Sequence, residues 1–185
     1  MNPHEDDGCS DVDGLIHRAV DWTRMDDNGI PMDLEGVRNL FNLGIEHGSF
    51  RYIPRSEPIS IAEVRQDWML DNPAISHWIT LDERQEVIAS AHIGIGGGMG
   101  TRKRLALTLI VHPEYQGRGI GTTLIHIIVS EGLQKTDEII IYTHPENMAV
   151  MALMNRLQYE YRVIGPEPEG GDLRYVVKKL ETHPA

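Results

Sequence analysis

The stretch from Gln116 to Thr122 places Gly117, Gly119 and Gly121 at alternate positions. It follows an apolar run that ends in Val111-His112-Pro113-Glu114-Tyr115, and it leads into Ile120, Leu124, Ile127 and Ile128, which keep helical spacing. A strand that turns into a helix inside such glycines leaves the first helical N–H groups without partners, at the positive end of the helix dipole. Glycine lets the backbone come close to a ligand and take dihedrals that other residues avoid. The chemistry implied is an anion seat suited to a diphosphate. Two better-known versions of that seat fail on detail. A nucleotide-triphosphate loop needs Lys and then Ser or Thr after its last glycine, and here Thr122-Thr123 follows. The dinucleotide fingerprint needs G-x-G-x-x-G, which neither this stretch nor Gly94 to Gly100 satisfies, since position 99 is Met99. Gly94 to Gly100 reads as a hairpin tip, with Arg102, Lys103 and Arg104 as its solvated flank.

Groups able to move a proton are few near that seat. His92, Thr108 acting through a water, His112 and His144 are the candidate bases. The single cysteine, Cys9, lies in an acidic stretch and is a poor nucleophile candidate. One cysteine also excludes an intrachain disulfide and a multi-thiolate zinc site.

The elements that must position these residues follow from the hydrophobic period. Leu15 to Trp22 reads as a first strand. Asp33 can cap a helix carrying Val37, Leu40, Phe41 and Ile45. Ser60 and Glu63 form a capping box ahead of a short helix with Val64 and Trp68. The period then shortens: His77 to Leu81 and Glu86 to Ile95 are strands joined at Asp82 to Gln85. Leu105 to Val111 and Glu138 to Thr143 are nearly unbroken apolar runs, the signature of central strands. Val150, Leu153, Met154 and Leu157 mark another helix, and Tyr159 to Ile164 and Leu173 to Lys179 are closing strands. The order is strand, two helices, three strands, helix, strand, helix, two strands, an α/β chain with no internal repeat.

Composition narrows the function. The chain has 185 residues with 41% hydrophobic and 24% charged, enough for one folded domain. We read residues 1–13 as an acidic disordered arm and 14–185 as that domain. The net charge of −11 argues against nucleic acid as a partner. It is uneven: residues 1–35 carry a net −8, and the other 150 a net −3. No apolar run reaches the length of a membrane helix, and no hydrophobic leader is visible. The expected location is cytoplasmic.

Gln116-Gly117-Arg118-Gly119-Ile120-Gly121, after a strand ending in Val111 and the lead-in Val-x-Pro-x-Tyr, resembles the acetyl-CoA loop Q/R-x-x-G-x-G/A of the GNAT superfamily of N-acetyltransferases. His144-Pro145-Glu146-Asn147 before the last helix is similar to the family's next motif. The similarity is closest over residues 104–160. It implies a mixed, mostly antiparallel sheet of about seven strands with about four helices, splayed between the fourth and fifth strands. It implies acetyl-CoA as acyl-donor co-substrate, no metal, and a small-molecule or peptide amine as acceptor. It also suggests a homodimer. Residue by residue, Leu109, Ile110 and Val111 would pair with pantetheine, and backbone near them would hold the oxyanion. Gln116, Gly117, Arg118, Gly119, Ile120, Gly121 and Thr122 would hold the pyrophosphate. Asn147 would bond the pantetheine arm, and Met154, on the apolar stripe of its helix, would sit in the core or pack on that arm.

Two departures stand out. The family's tyrosine acid in the last helix falls on Met154, and its strand glutamate has no counterpart in Leu105 to Val111. Two alternatives therefore stand beside an N-acetyltransferase: a degenerate acyl-CoA sensor or interaction module, and a transferase of another acyl chain. The absence of an obvious base favours an amine of low pKa; the acidic N-terminal region favours a polycation.

Overall fold

In the computed structural model the described residues are 9–10, 14–47, 57–64, 66, 74–95, 105–136, 138–143, 146–157, 159–164 and 173–178. Their strands form one sheet: β1 (Cys9–Ser10), β2 (Ile16–Ala19), β3 (Ala74–Leu81), β4 (Val87–Ile95), β5 (Leu105–Val111), β6 (Glu138–Thr143), β7 (Glu160–Ile164) and β8 (Leu173–Lys178). The order across the sheet is β1-β2-β3-β4-β5-β6-β8-β7. Every neighbouring pair is antiparallel except β5 with β6. The sheet thus has eight strands rather than about seven. The additional one is Cys9–Ser10, which pairs with His17 and Ile16 inside the stretch expected to be disordered.

Among the described residues four helices flank the sheet: α1 (Met32–Glu46), α2 (Ile61–Glu63), α3 (Ile120–Lys135) and α4 (Met148–Arg156). On α1, Leu34, Val37, Leu40 and Phe41 fall on one side and are buried. They join Ile79, Leu81 and Ile110 in one apolar cluster. On α3, Ile120, Leu124, Ile125, Ile128 and Val129 are buried against Ala91, Ile93, Leu107 and Ile139 in a second cluster, which α4 joins through Leu153 and Met154. The two clusters lie on opposite faces, because residues alternate across a strand. Close approach of α3 needs Gly132: a Cβ there would stand 2.7 Å from Cδ1 of both Ile93 and Ile139.

The Ser60–Glu63 capping box forms as the sequence implies. The expected cap of α1 does not. Pro31 occupies the N-cap, and the Asp33 carboxylate instead takes two hydrogen bonds from Arg18, at 2.6 and 2.8 Å, and one from the Asp21 N–H. A guanidinium fork and a backbone donor satisfy more of a carboxylate than a single helical N–H can. Trp68 and residues 96–104, including Arg102, Lys103 and Arg104, lie outside the described residues. Gly94 and Ile95 belong to β4 and pair with Ala106 and Leu105.

Candidate active site

The glycine turn is built in three short steps. His112 starts a single 3-10 turn, Pro113–Tyr115, its Nδ1 accepting the Glu114 N–H. Tyr115 then donates its hydroxyl to Asp82 at 3.2 Å and lies under the Arg118 guanidinium, 4.9 Å from the ring centre. Burial, then the Asp82 carboxylate, raises the Tyr115 phenol pKa. Finally Gln116 Nε2 donates to the Val111 carbonyl at 3.1 Å, tying the loop to the end of β5.

Gly117 and Gly119 have φ of 78° and 87°, the left-handed region that L side chains rarely adopt. A Cβ at either would meet nothing within 4 Å, so glycine serves the backbone path and leaves the space open. Gly121 differs: its Cβ would come within 3.4 Å of Leu109 and 3.5 Å of Val111, so it seats α3 on β5. The 16-residue α3 begins at Ile120 with no side-chain cap and no acid in its first turn. Its first N–H groups and its dipole point at the open space.

Behind the turn the sheet splits. β5 pairs with β6 only at Leu105, Ala106 and Leu107, opposite Ile139, Ile140 and Ile141. Among the described residues, no strand lies beside the β6-side edge of β5 from Thr108 on. A cavity of 490 Å³ occupies this region, walled by Leu109, Ile110 and Val111, by Gln116, Gly117 and Gly119 to Thr122, and by α4. Asn147 reaches the same cavity as N-cap of α4, its Oδ1 accepting the Val150 N–H at 3.3 Å. A left-handed glycine pair, an uncapped helix start and a free strand edge in one cavity fit a ligand with a diphosphate and an amide-bearing chain.

Two predicted contacts are placed elsewhere. Met154 is fully buried in the α3-side cluster and is not on the cavity wall. Arg118 turns away, its guanidinium on Tyr115 and on the Glu114 carbonyl at 3.2 Å. The wall instead takes Tyr115, Ala149, Val150, Ala152, Leu153 and Arg156, which sequence reasoning passed over. The apolar stripe of α4 is legible, but its division between core and cavity depends on the helix's rotation, which the pattern does not give.

The proton-handling candidates separate. His92 of β4 stands directly opposite Thr108 of β5, and His77 of β3 directly opposite His92. All three are on the α1 face. Burial pushes His92 down to about 4. Burial, then the neighbouring His92, holds His77 well below the ordinary histidine value. His112 lines a second cavity of 560 Å³ beside Arg18 and Asp33, away from the first. His144 lies outside the described residues. Among the described residues no group of three or more His, Cys, Asp or Glu could hold a metal ion, and no helix is long and apolar enough to cross a membrane.

A model of the acetyltransferase (GNAT) family matches residues 43–159. The chain belongs to the GNAT acetyltransferase family. Solved structures carry the same fold. One is yncA from Salmonella typhimurium with its cofactor acetyl-CoA, at 18% identity and a TM-score of 0.68, covering 93% of this chain and 97% of that one. Another is a GNAT phosphinothricin acetyltransferase from Sinorhizobium meliloti in complex with acetyl-CoA, at 18% identity and 0.63, covering 89% and 88%. A third is spermidine N-acetyltransferase from Vibrio cholerae in complex with CoA and spermine, at 18% identity and 0.59, covering 89% and 96%. No curated protein matches the chain. The split between β5 and β6 and the glycine turn, both implied by the resemblance, are present.

Proposed function

We propose that this chain is an N-acetyltransferase that moves an acetyl group from acetyl-CoA to a primary amine, the amine attacking directly in a ternary complex. The observation that carries the proposal is the 490 Å³ cavity, where the two left-handed glycines, the start of α3, the free edge of β5 and Asn147 meet. Acetyl-CoA, when bound, supplies the activated thioester. The backbone N–H groups of residues 116–122 would hold its pyrophosphate. The edge at Leu109, Ile110 and Val111 would pair with pantetheine as another strand would, except that the Val111 carbonyl already accepts from Gln116. Asn147 has its Oδ1 committed to the helix cap, which leaves Nδ2 to donate to a pantetheine carbonyl. Backbone N–H groups at the same edge would stabilise the oxyanion.

Direct attack is supported by the position of Cys9. It sits on β1, four strands from β5, in the row Cys9, His17, Thr80, Ala89, Val111. At roughly 4.8 Å per strand that is about 19 Å, too far for an acyl-enzyme. The amine assignment is supported by the spermidine N-acetyltransferase of the same fold.

The test is calorimetric titration with acetyl-CoA of wild type and Gly119→Glu, followed by an amine panel read by free-thiol release. Binding should vanish in the variant, because a bulky carboxylate at a left-handed position would fill the anion seat. Gly119→Ala separates strain from bulk and should retain more of the affinity. A second reading, an acyl-CoA-binding module without turnover, is favoured by the apolar Met154 and by the absence of a carboxylate on β5. Binding without thiol release over the whole panel would select it. Tighter binding of a longer acyl-CoA would instead move the donor assignment.

A further inference from the structure

A glycine turn is hard to hold in one shape. Gly117 and Gly119 sit in the left-handed region, and glycine gives up more backbone freedom than any other residue when it is fixed. Three side-chain bonds shape the turn from within its own segment: Glu114 N–H to His112 Nδ1, Gln116 Nε2 to the Val111 carbonyl, and Arg118 to the Glu114 carbonyl. Two others run to the β3–β4 hairpin. The His112 N–H donates to the Ile88 carbonyl at 2.8 Å, and the Tyr115 hydroxyl donates to Asp82 Oδ2 at 3.2 Å. They grip the two ends of the 3-10 turn that leads into the glycines.

The hairpin is shaped for that grip. β4 advances two residues, from Val87 to Ala89, where β3 advances one, from Leu81 to Thr80, so Ile88 is the extra residue of a bulge. Ile88 and Ala89 are consecutive, yet both join the α3-side cluster. Between the strands the chain folds around Asp82. Its Oδ1 accepts the Arg84 and Glu86 N–H groups, each at 2.9 Å, its own N–H donates to the Glu86 carbonyl, and its carbonyl accepts from the Gln85 N–H. Gln85 has φ of 64°, a left-handed conformation that glycine takes more readily. A plain hairpin needs neither the bulge nor the left-handed glutamine. Here they leave Asp82 buried, with its second oxygen on Tyr115. The Tyr115 side chain forms part of the cavity wall and lies under Arg118, whereas Asp82 is not on that wall.

We propose that Asp82 is a positioning residue for the donor's pyrophosphate: through Tyr115 it holds the glycine turn in its binding shape before acetyl-CoA arrives, without touching the ligand. This rests on the acetyl-CoA site of the reading above. A ligand that meets a seat already in shape avoids the ordering cost that a loose turn would incur. The Tyr115 bond is made to a carboxylate, which makes it stronger than a bond between neutral groups. Its effect falls on the anionic end of the donor, because the amide-bearing arm meets the β5 edge and Asn147 instead. The sign of the effect is diagnostic. A carboxylate that acted only through its field would oppose a pyrophosphate, and neutralising it would tighten donor binding. A carboxylate that holds the turn does the reverse, so its neutralisation weakens donor binding.

The experiment compares acetyl-CoA with acetyl-pantetheine, which has the arm and the thioester but no pyrophosphate, as donors to one primary amine that the wild type accepts. In Tyr115→Phe the ratio of kcat/KM for acetyl-CoA to that for acetyl-pantetheine should fall by about 3–30-fold, the weight of one hydrogen bond to a charged group. Asp82→Asn should lower it in the same direction and by less, since an amide nitrogen then faces the phenol. A general loss of structure would lower both donors together and leave the ratio alone. The loss should appear in KM and in the calorimetric Kd for acetyl-CoA rather than in kcat. In the Tyr115→Phe background Asp82→Asn should add less than about twofold, because both changes remove one bond. A readout that needs no ligand is ¹⁵N relaxation: the Gly117 and Gly119 amides should be rigid in wild type and more mobile in Tyr115→Phe. An unchanged donor ratio, tighter acetyl-CoA binding by Asp82→Asn, additive losses in the double variant, or unchanged glycine mobility would each overturn the proposal and leave the N-acetyltransferase reading standing. A wild type that binds no acetyl-CoA would overturn both. A wild type that binds it without turnover would overturn the transferase reading alone, and the acetyl-CoA Kd in the same variants then decides. Should Asp82→Asn fail to fold, Tyr115→Phe, which removes one hydroxyl, still decides.

Discussion

Under α3, the row Trp78, Ala91, Leu109 runs across three strands as hydrophobic packing, and α3 presses onto the sheet closely enough to require Gly132. One residue along the same strands, on the face under α1, the row is His77, His92, Thr108, with Ser90 beside it. The same backbone thus carries an apolar wall, edged by the hydrogen bond from Trp78 Nε1 to Glu131 of α3, on one side and a polar row on the other. On the α3 side the proposed recognition is by main-chain groups, the glycine turn and a strand edge, while side chains mainly hold the scaffold. On the α1 side the row is made of polar side chains, and burial lowers the proton affinity of its two histidines.

That contrast can be broken by mutation and by acid. The largest effect belongs to the α3 side. Leu124 is fully buried there, and Leu124→Ala should cost about 2–5 kcal/mol in chemical denaturation. Acid should act through buried histidines: His77 and His92 on the α1 face, and His17, also lowered by burial, on the α3 face. His77 and His92 have folded-state pKa values below the ordinary 6.5, so the unfolded chain binds more protons as pH falls. Their contribution is present above about 6.5 and is lost as pH drops through the folded value, about 4 for His92. For His92 alone the loss should be about 2–3 kcal/mol, allowing for the open part of its ring. A pH series of denaturation midpoints should show this slope, and His92→Gln should flatten it. Leu124→Ala should lower the whole series without changing the slope. Next, Gly132→Ala should cost about 1–2 kcal/mol, because two buried isoleucine methyl groups must move aside. Smallest of all, Cys9→Ala should leave thiol release unchanged. A stalled enzyme would overturn direct attack.

The sequence made the α3 side legible and left the α1 side largely closed. The glycines, the buried strands and the Ser60 cap are local signals, written within a few residues of where they act. The placement of the helix over Gly121 and the parallel β5–β6 junction follow from the same strand–helix–strand order. His92 and Thr108 were separate candidates in the sequence, sixteen positions apart. Only the β4–β5 register makes them neighbours, and only the β3–β4 register adds His77, which no spacing rule singled out. Asp33 is a similar case. It has the right type and place for a helix cap, yet Arg18, fifteen residues earlier, takes its carboxylate through tertiary contact. Met154 could be read from the sequence as core or as cofactor packing, and the rotation of α4 decides for the core while Val150 and Leu153 line the cavity.

The split between β5 and β6 also bears on how the protein behaves in a crowded solution. Unpaired strand edges attract other chains, and at the rim of a sheet they seed aggregation. Here the open edge from Thr108 to Val111 lies in the middle of the sheet, with β6 and α4 across the gap. A second protein's strand would have to enter between them, whereas a single slender chain with amide groups can slide in. An edge so placed stays within reach of a narrow ligand of the kind proposed and is shielded from a second protein's strand.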